Sequence, residues 1–281
     1  MSIILLLLGC SGNLSQNSET KLSNTSCDNP LDTVILVIES IQFARQTDGV
    51  AWGFDIDGLT SDNDDEEGCY HDDLIDPLGN EGIDNAFSAL IPTLELTEAN
   101  AAEGLIQDAI NTGELLLMLK ISGVDDLFND DCVTVEVLRG SGTPIIGTEG
   151  LILDGQTFDR NEDIPSTVLE EVQIDNGVLT LFPLNMSLPF TILDNYLDFA
   201  LEDGTIRLDI TSGAYTGVLG GATPRSYLEE VVQINEIGIT DLLLQLLGTA
   251  ADLYPDETGE CQYISSAFEF SAVPAYLYPT E

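Results

Sequence analysis

Beyond Glu114 the apolar residues of this chain stop recurring at helical spacing and alternate with polar ones, and that change of period most constrains the fold. Leu115 to Ile121 and Val133 to Leu138 read as strands with one buried face. Two dipeptides of hairpin type reinforce the reading. Asn176-Gly177 places Ile174 opposite Leu179 and Val172 opposite Leu181, while Asp203-Gly204 places Leu201 opposite Ile206, Phe199 opposite Leu208 and Leu197 opposite Ile210. Tyr263 to Val273 reads as a last strand that closes a sheet. Hairpins outnumber βαβ units, so the expected class is β-rich α+β: an antiparallel β-sandwich or barrel-like sheet with a few packed helices.

Four helices fit the remaining periodic stretches. Asp84 reads as an N-cap before Phe87, Leu90, Ile91 and Leu94, with Pro92 shortening that helix. Glu98 to Thr112 carries Leu105, Ile106, Ala109 and Ile110 on one face and ends at Gly113. Thr223-Pro224 opens a helix to about Gln233 with Tyr227, Leu228, Val231 and Val232 on one face; Thr240 opens another through Leu242, Leu243, Leu246, Leu247 and Ala250. These stripes read as core. With 281 residues, 43% of them apolar, and no repeat of 20 to 50 residues, residues 31–281 are expected to form a single domain.

Charge then limits the partners. Fifty Asp and Glu face seven Lys and Arg and one His, a formal charge of −43. Such a field repels phosphate, which excludes nucleic-acid binding as a main function and disfavours anionic membrane surfaces. The density peaks between residues 55 and 84, where twelve acidic residues occur with no Lys or Arg. Carboxylates about 5 Å apart repel by roughly 0.8 kcal/mol per pair even in water, and a captured dication turns that repulsion into ligation. Alternating hard oxygens beside a glycine suit Ca²⁺, so Asp55, Asp57, Asp62 and Asp64 are candidate ligands, with Asp76 and Asp84 behind them. The alternative is a solvated acidic surface adapted to high salt, in keeping with a chain whose only lysines are Lys21 and Lys120.

Asp55-x-Asp57-Gly58 resembles the middle of an EF-hand-type calcium loop and, with Asp62, Asp64 and Cys69, is also similar to a thrombospondin type 3 repeat. At the N-terminus, the apolar run Ile3 to Leu8 followed by Gly9-Cys10 resembles the lipobox of bacterial lipoproteins. That resemblance implies a signal peptide over residues 1–9, a lipid on Cys10, and an address at the outer membrane or cell surface, with Ser11 of the type that permits outer-membrane sorting. A plain secretory signal is the alternative, and either exports the protein. Residues 10–30, mostly Ser, Asn, Thr and Gln, fit a flexible tether. In an exported chain Cys27, Cys69, Cys132 and Cys261 are candidates for two disulfides, with three pairings open, a Cys27–Cys69 staple among them, and buried free thiols as the alternative. Gly53-Phe-Asp-x-Asp-Gly58, Gly82-Ile-Asp-Asn85 and the Cys261 to Ala275 stretch are similar to phrases of exported bacterial proteins and imply no activity.

Nucleotide, zinc-protease, esterase and dinucleotide signatures are absent. Histidine-dependent nucleophilic catalysis would have to run through His71, which sits among carboxylates and so makes a poor base. The residues therefore point to a lipid-anchored envelope protein with a structural Ca²⁺ loop, a binding or interaction protein for a protein or glycan ligand rather than an enzyme. One rival is a glycan hydrolase using paired carboxylates, with Trp52 and Phe54 as a sugar platform, although alternating aromatics are more often core. The other is a lipid carrier, which requires an apolar cavity.

Overall fold

The computed structural model describes residues 32–96, 101–192, 195–211, 213–234 and 240–279. Cys10, Cys27, the signal segment and the tether expectations lie outside them. Among the described residues, eight long strands form a closed antiparallel barrel in chain order: β1 (Asp32–Phe43), β2 (Leu117–Val124), β3 (Asp130–Ser141), β5 (Thr167–Asp175), β6 (Val178–Ile192), β7 (Asn195–Asp209), β8 (Tyr215–Pro224) and β10 (Cys261–Leu277). The wall closes where β10 pairs with β1, from Leu36 opposite Pro274 to Phe43 opposite Phe268. Two short strands are added outside this circuit. β4 (Gln156–Arg160) bridges the ends of β3 and β10, and β9 (Leu253–Pro255) pairs with the start of β10.

Closure follows from the alternation. One face of every strand is apolar, and an eight-stranded bore is just wide enough for such side chains to fill it. Leu119, Ile121, Val133, Val135, Leu179, Leu181, Leu201, Leu208 and Leu219 are all fully buried there. Among the described residues, the barrel body is thus a packed core.

Asn176-Gly177 makes the expected two-residue hairpin, with φ of 51° and 73° and Ile174 opposite Leu179. Val172 instead pairs with Val133, and Leu181 with Ile206, because β5 slips in register at Glu171 (φ 58°) and leans onto β3. Asp203-Gly204 is not a hairpin turn. It lies in the middle of β7, where the register shifts between Glu202 and Thr205 and Asp203 takes φ 48°. The same left-handed preference that suits a turn also suits a bulge, and here β6 and β8 supply ladder partners on both sides, so a continuous strand keeps more hydrogen bonds. A Cβ on Gly204 would stand 3.0 Å from the Leu184 carbonyl oxygen. The extra residue resets the alternation, so Phe199 and Leu201 before it and Ile206 and Leu208 after it all face inward.

Helices cover one end of the barrel. A 3-10 turn at Ala86–Ala89 leads into α1 (Ile91–Leu94); α2 (Ala102–Thr112) stops at Gly113, whose φ is 88°; α3 (Arg225–Ile234) and α4 (Thr240–Ala250) pack on each other. Asp84 does not cap the first turn. The cap position is Asn85, which makes no side-chain cap bond, and Asp84 turns its carboxyl toward the acidic loop.

The acidic segment lies on the outer wall. Trp52 and Phe54 pack on Ala44, Val218 and Ala267, the outward neighbours of inward-facing Phe43, Leu219 and Phe268, and Arg207 stands 5.6 Å from the centre of the Trp52 ring. Trp52 and Phe54 thus pack on the wall, and Trp52 with Arg207 also lines an open groove there. A disulfide between Cys69 and Cys261, Cα atoms 6.2 Å apart, pins the segment to the first residue of β10, so Cys69 is not stapled to Cys27. Cys132 is also disulfide-bonded. Replacing Cys69 and Cys261 together by Ser is expected to lower unfolding free energy by roughly 2–5 kcal/mol, because the bridge constrains a long loop in the unfolded chain. Urea denaturation followed by tryptophan fluorescence measures it.

Candidate functional site

Two places combine chemistry with enclosure, an aspartate cluster on the outer wall and an apolar cavity under the helices. The cluster begins with local turn chemistry. Asp55 Oδ1 accepts from the Gly58 amide at 2.7 Å, Asp57 Oδ1 accepts from the Leu59 amide at 2.9 Å, and Gly58 takes φ 79° with open space where a Cβ would be. A bridge between Phe54 and Asp84 then brings the third carboxyl in from far along the chain, and Asp84 Oδ2 accepts from the Ile56 amide at 2.6 Å. One carboxylate oxygen from each of Asp55, Asp57 and Asp84 lies within 4.8 Å of the others. This cluster can hold a metal ion. Three carboxylates offer enough hard oxygen for part of a dication's shell, the rest coming from water or carbonyls.

Its electrostatics are set by burial. Asp84 is 5% exposed, and burial pushes its carboxyl up to about 8, helped by the charge of Asp252 and opposed by the Ile56 amide. Burial likewise pushes Asp252 up to about 7 against the bonds it accepts from the Ser265 amide and hydroxyl. Asp57 and Asp73 are also shifted upward, again chiefly by burial. Ser265 joins the two halves of the arrangement, since its hydroxyl accepts from the Ala86 amide while donating to Asp252.

The other expected ligands are elsewhere. Asp62 Oδ1 accepts from the Asp64 amide in a neighbouring turn, and Asp64 itself is exposed. Asp76 is buried, which alone would raise its carboxyl, but bonds from the Asn80 side chain and from the amides of Asn80 and Leu78 take it below the usual range. Backbone amides thus meet much of the charge that, on sequence alone, appeared to demand cations. Asp73 serves similarly, accepting from the Ser61 amide at 2.5 Å. Asp252 stands out in no sequence pattern and Asp73 is one acid among twelve in its stretch; only the fold brings them beside Asp57.

The cavity measures about 280 Å³ and lies between the barrel mouth and all four helices. Its floor is an aromatic stack: Phe43 at 5.2 Å from both Phe87 and Phe268, and Phe199 edge-on to Phe87 and Phe268 at 6.1 and 5.5 Å between ring centres. Ile106 of α2, Val231 and Val232 of α3, and Leu246 and Leu247 of α4 form walls and roof. Arg45, Glu95, Glu103 and Tyr227 bring polar groups to it. The helix stripes read as core are therefore partly cavity wall, a distinction periodicity cannot make.

No known protein family, curated protein or solved structure matches the chain, so both sites are read from their own chemistry. No described helix is long and apolar enough to cross a membrane.

A carboxyl raised in the folded state binds more protons there than in the unfolded chain, where Asp titrates near about 3.9. Its stabilising contribution is therefore complete below about pH 4 and is lost as pH climbs toward about 7 for Asp252 and about 8 for Asp84. In metal-free buffer the melting temperature is expected to fall across that window, and Asp84→Asn to flatten the upper part of the fall. Thermal melts by circular dichroism at stepped pH measure both.

Proposed function

We propose that this chain is a cell-envelope binding protein that holds a small apolar ligand at the helix-covered end of its barrel. The observation that carries the reading is the cavity: an apolar enclosure floored by four phenylalanines and roofed by helices, approaching the size range of small-molecule sites. The closed barrel supports it, since a continuous hydrogen-bonded wall holds the aromatic floor of the cavity in place beneath the helices. Export and a lipid anchor on Cys10 complete the reading, placing the barrel outside the cytoplasm on a tether over residues 10–30.

The aspartate cluster serves structure in this reading. Ca²⁺ is the proposed ion, because Asp55, Asp57 and Asp84 offer oxygen alone and Ca²⁺ tolerates the irregular shell that a loop and one distant residue provide. Bound there, it neutralises Asp84 beside Asp252 and fixes the acidic segment on the wall.

The small neutral fluorophore 1-aminonaphthalene is expected to bind with a saturable fluorescence rise, and Leu246→Trp to abolish the rise by filling the cavity. A rise that survives in the filled variant rejects the cavity as the site. For the ion, Ca²⁺ at about a hundred times its dissociation constant is expected to stabilise the fold by about 2.7 kcal/mol over NaCl of equal ionic strength. Asp55→Asn with Asp57→Asn removes that gain, read by thermal melts.

A further inference from the structure

The ligand's polar end is constrained by the charges at the cavity. Arg45, which follows the end of β1, is the one cation that lines it. A guanidinium has five N–H donors, and here every one is engaged. Nε donates to Glu95 Oε1 at 3.1 Å; Nη2 donates to Glu95 Oε1 at 2.9 Å and to Glu103 Oε2 at 3.0 Å; Nη1 donates to Glu103 Oε1 at 2.8 Å and to the Phe43 carbonyl at 3.3 Å. A carboxylate or phosphate arriving at this cavity finds no free donor on Arg45. Two glutamates around one arginine also leave the group with a net negative charge, inside a protein whose whole field is negative.

The acceptor side is not exhausted. Glu103 uses both oxygens, Oε1 taking the Phe43 amide as well as Arg45, whereas Glu95 takes both of its bonds on Oε1. Among the described residues Glu95 Oε2 accepts no hydrogen bond, which leaves it as an acceptor at the half-exposed cavity edge, on the residue that follows α1. The cavity volume lies just below the range of drug-sized sites, which suits a short single chain.

We infer that the cavity selects short single-chain amphiphiles whose polar end donates hydrogen bonds without carrying negative charge, a primary alcohol or primary ammonium, and discriminates against carboxylates of the same chain length. The inference rests on the cavity being the ligand site. The alkyl chain lies on Phe43, Phe199 and Phe268, and the hydroxyl or ammonium donates to Glu95 Oε2.

The test is isothermal titration of the full chain with 1-octanol, octylammonium and octanoate, in about 0.5 M NaCl so that the long-range field is screened. Octanol and octylammonium are each expected to bind at least tenfold more tightly than octanoate, and Glu95→Gln to narrow octylammonium's advantage over octanoate severalfold. Octanoate binding as tightly as the other two overturns the selectivity and leaves the cavity reading standing. If none of the three binds, the cavity reading falls and takes the selectivity with it. Leu246→Trp, or Val231→Trp should the first fail to fold, must abolish all binding. Octylammonium binding that persists there is surface association and also overturns the inference.

Discussion

The pairing of β10 with β1 is the constraint on which the rest depends. It joins the last long strand to the first and leaves the eight-stranded wall without an open edge. From that position β10 serves both faces of the wall. Phe268 points inward to the aromatic floor of the cavity, Ala267 outward to the acidic segment, Ser265 binds Asp252, and Cys261 carries the disulfide. Displacing this strand would disturb the cavity and the aspartate cluster together.

The two sites share this strand and differ in how each handles polar groups. At the cluster, carboxyls are drawn out of water beside one another, a costly arrangement that protons or a cation must relieve. At the cavity edge, the charged groups stay half exposed and complete each other's bonds, so the enclosed surface remains apolar. The Arg45 pairs with Glu95 and Glu103 are worth little as stability at such exposure. Their effect is geometric, since they join the end of β1 to α1 and to α2.

Much of the fold was legible because alternation survives translation into structure: strands near Leu115, Val133 and Tyr263, the Asn176-Gly177 hairpin, and α2 ending at Gly113 lie where local chemistry puts them. Asp203-Gly204 misled for a physical reason. A left-handed pair suits a turn and a bulge alike, and only the neighbouring strands decide which forms. The candidate site divides along the same line. Asp55 and Asp57 are close in the chain and were readable, and Asp84 was among the outer candidates, but Asp62 and Asp76 accept backbone amides of their own turns, a competitor that a count of charges does not include, and Asp64 is exposed to solvent. The cavity was least legible. Phe43, Phe199 and Phe268 meet only because the barrel closes, and the helical stripes above them look the same whether they cover a solid core or a space.

A wall whose first and last staves interlock also has a consequence for the order of events when the polypeptide is made. A ribosome delivers β1 before the other strands of the wall and β10 after them, so no nascent intermediate possesses a complete cylinder, and β1 and β8 each wait with an unclaimed ladder until β10 emerges. The wall is thereby kept open along one seam, like a cask before its last stave, until that strand arrives.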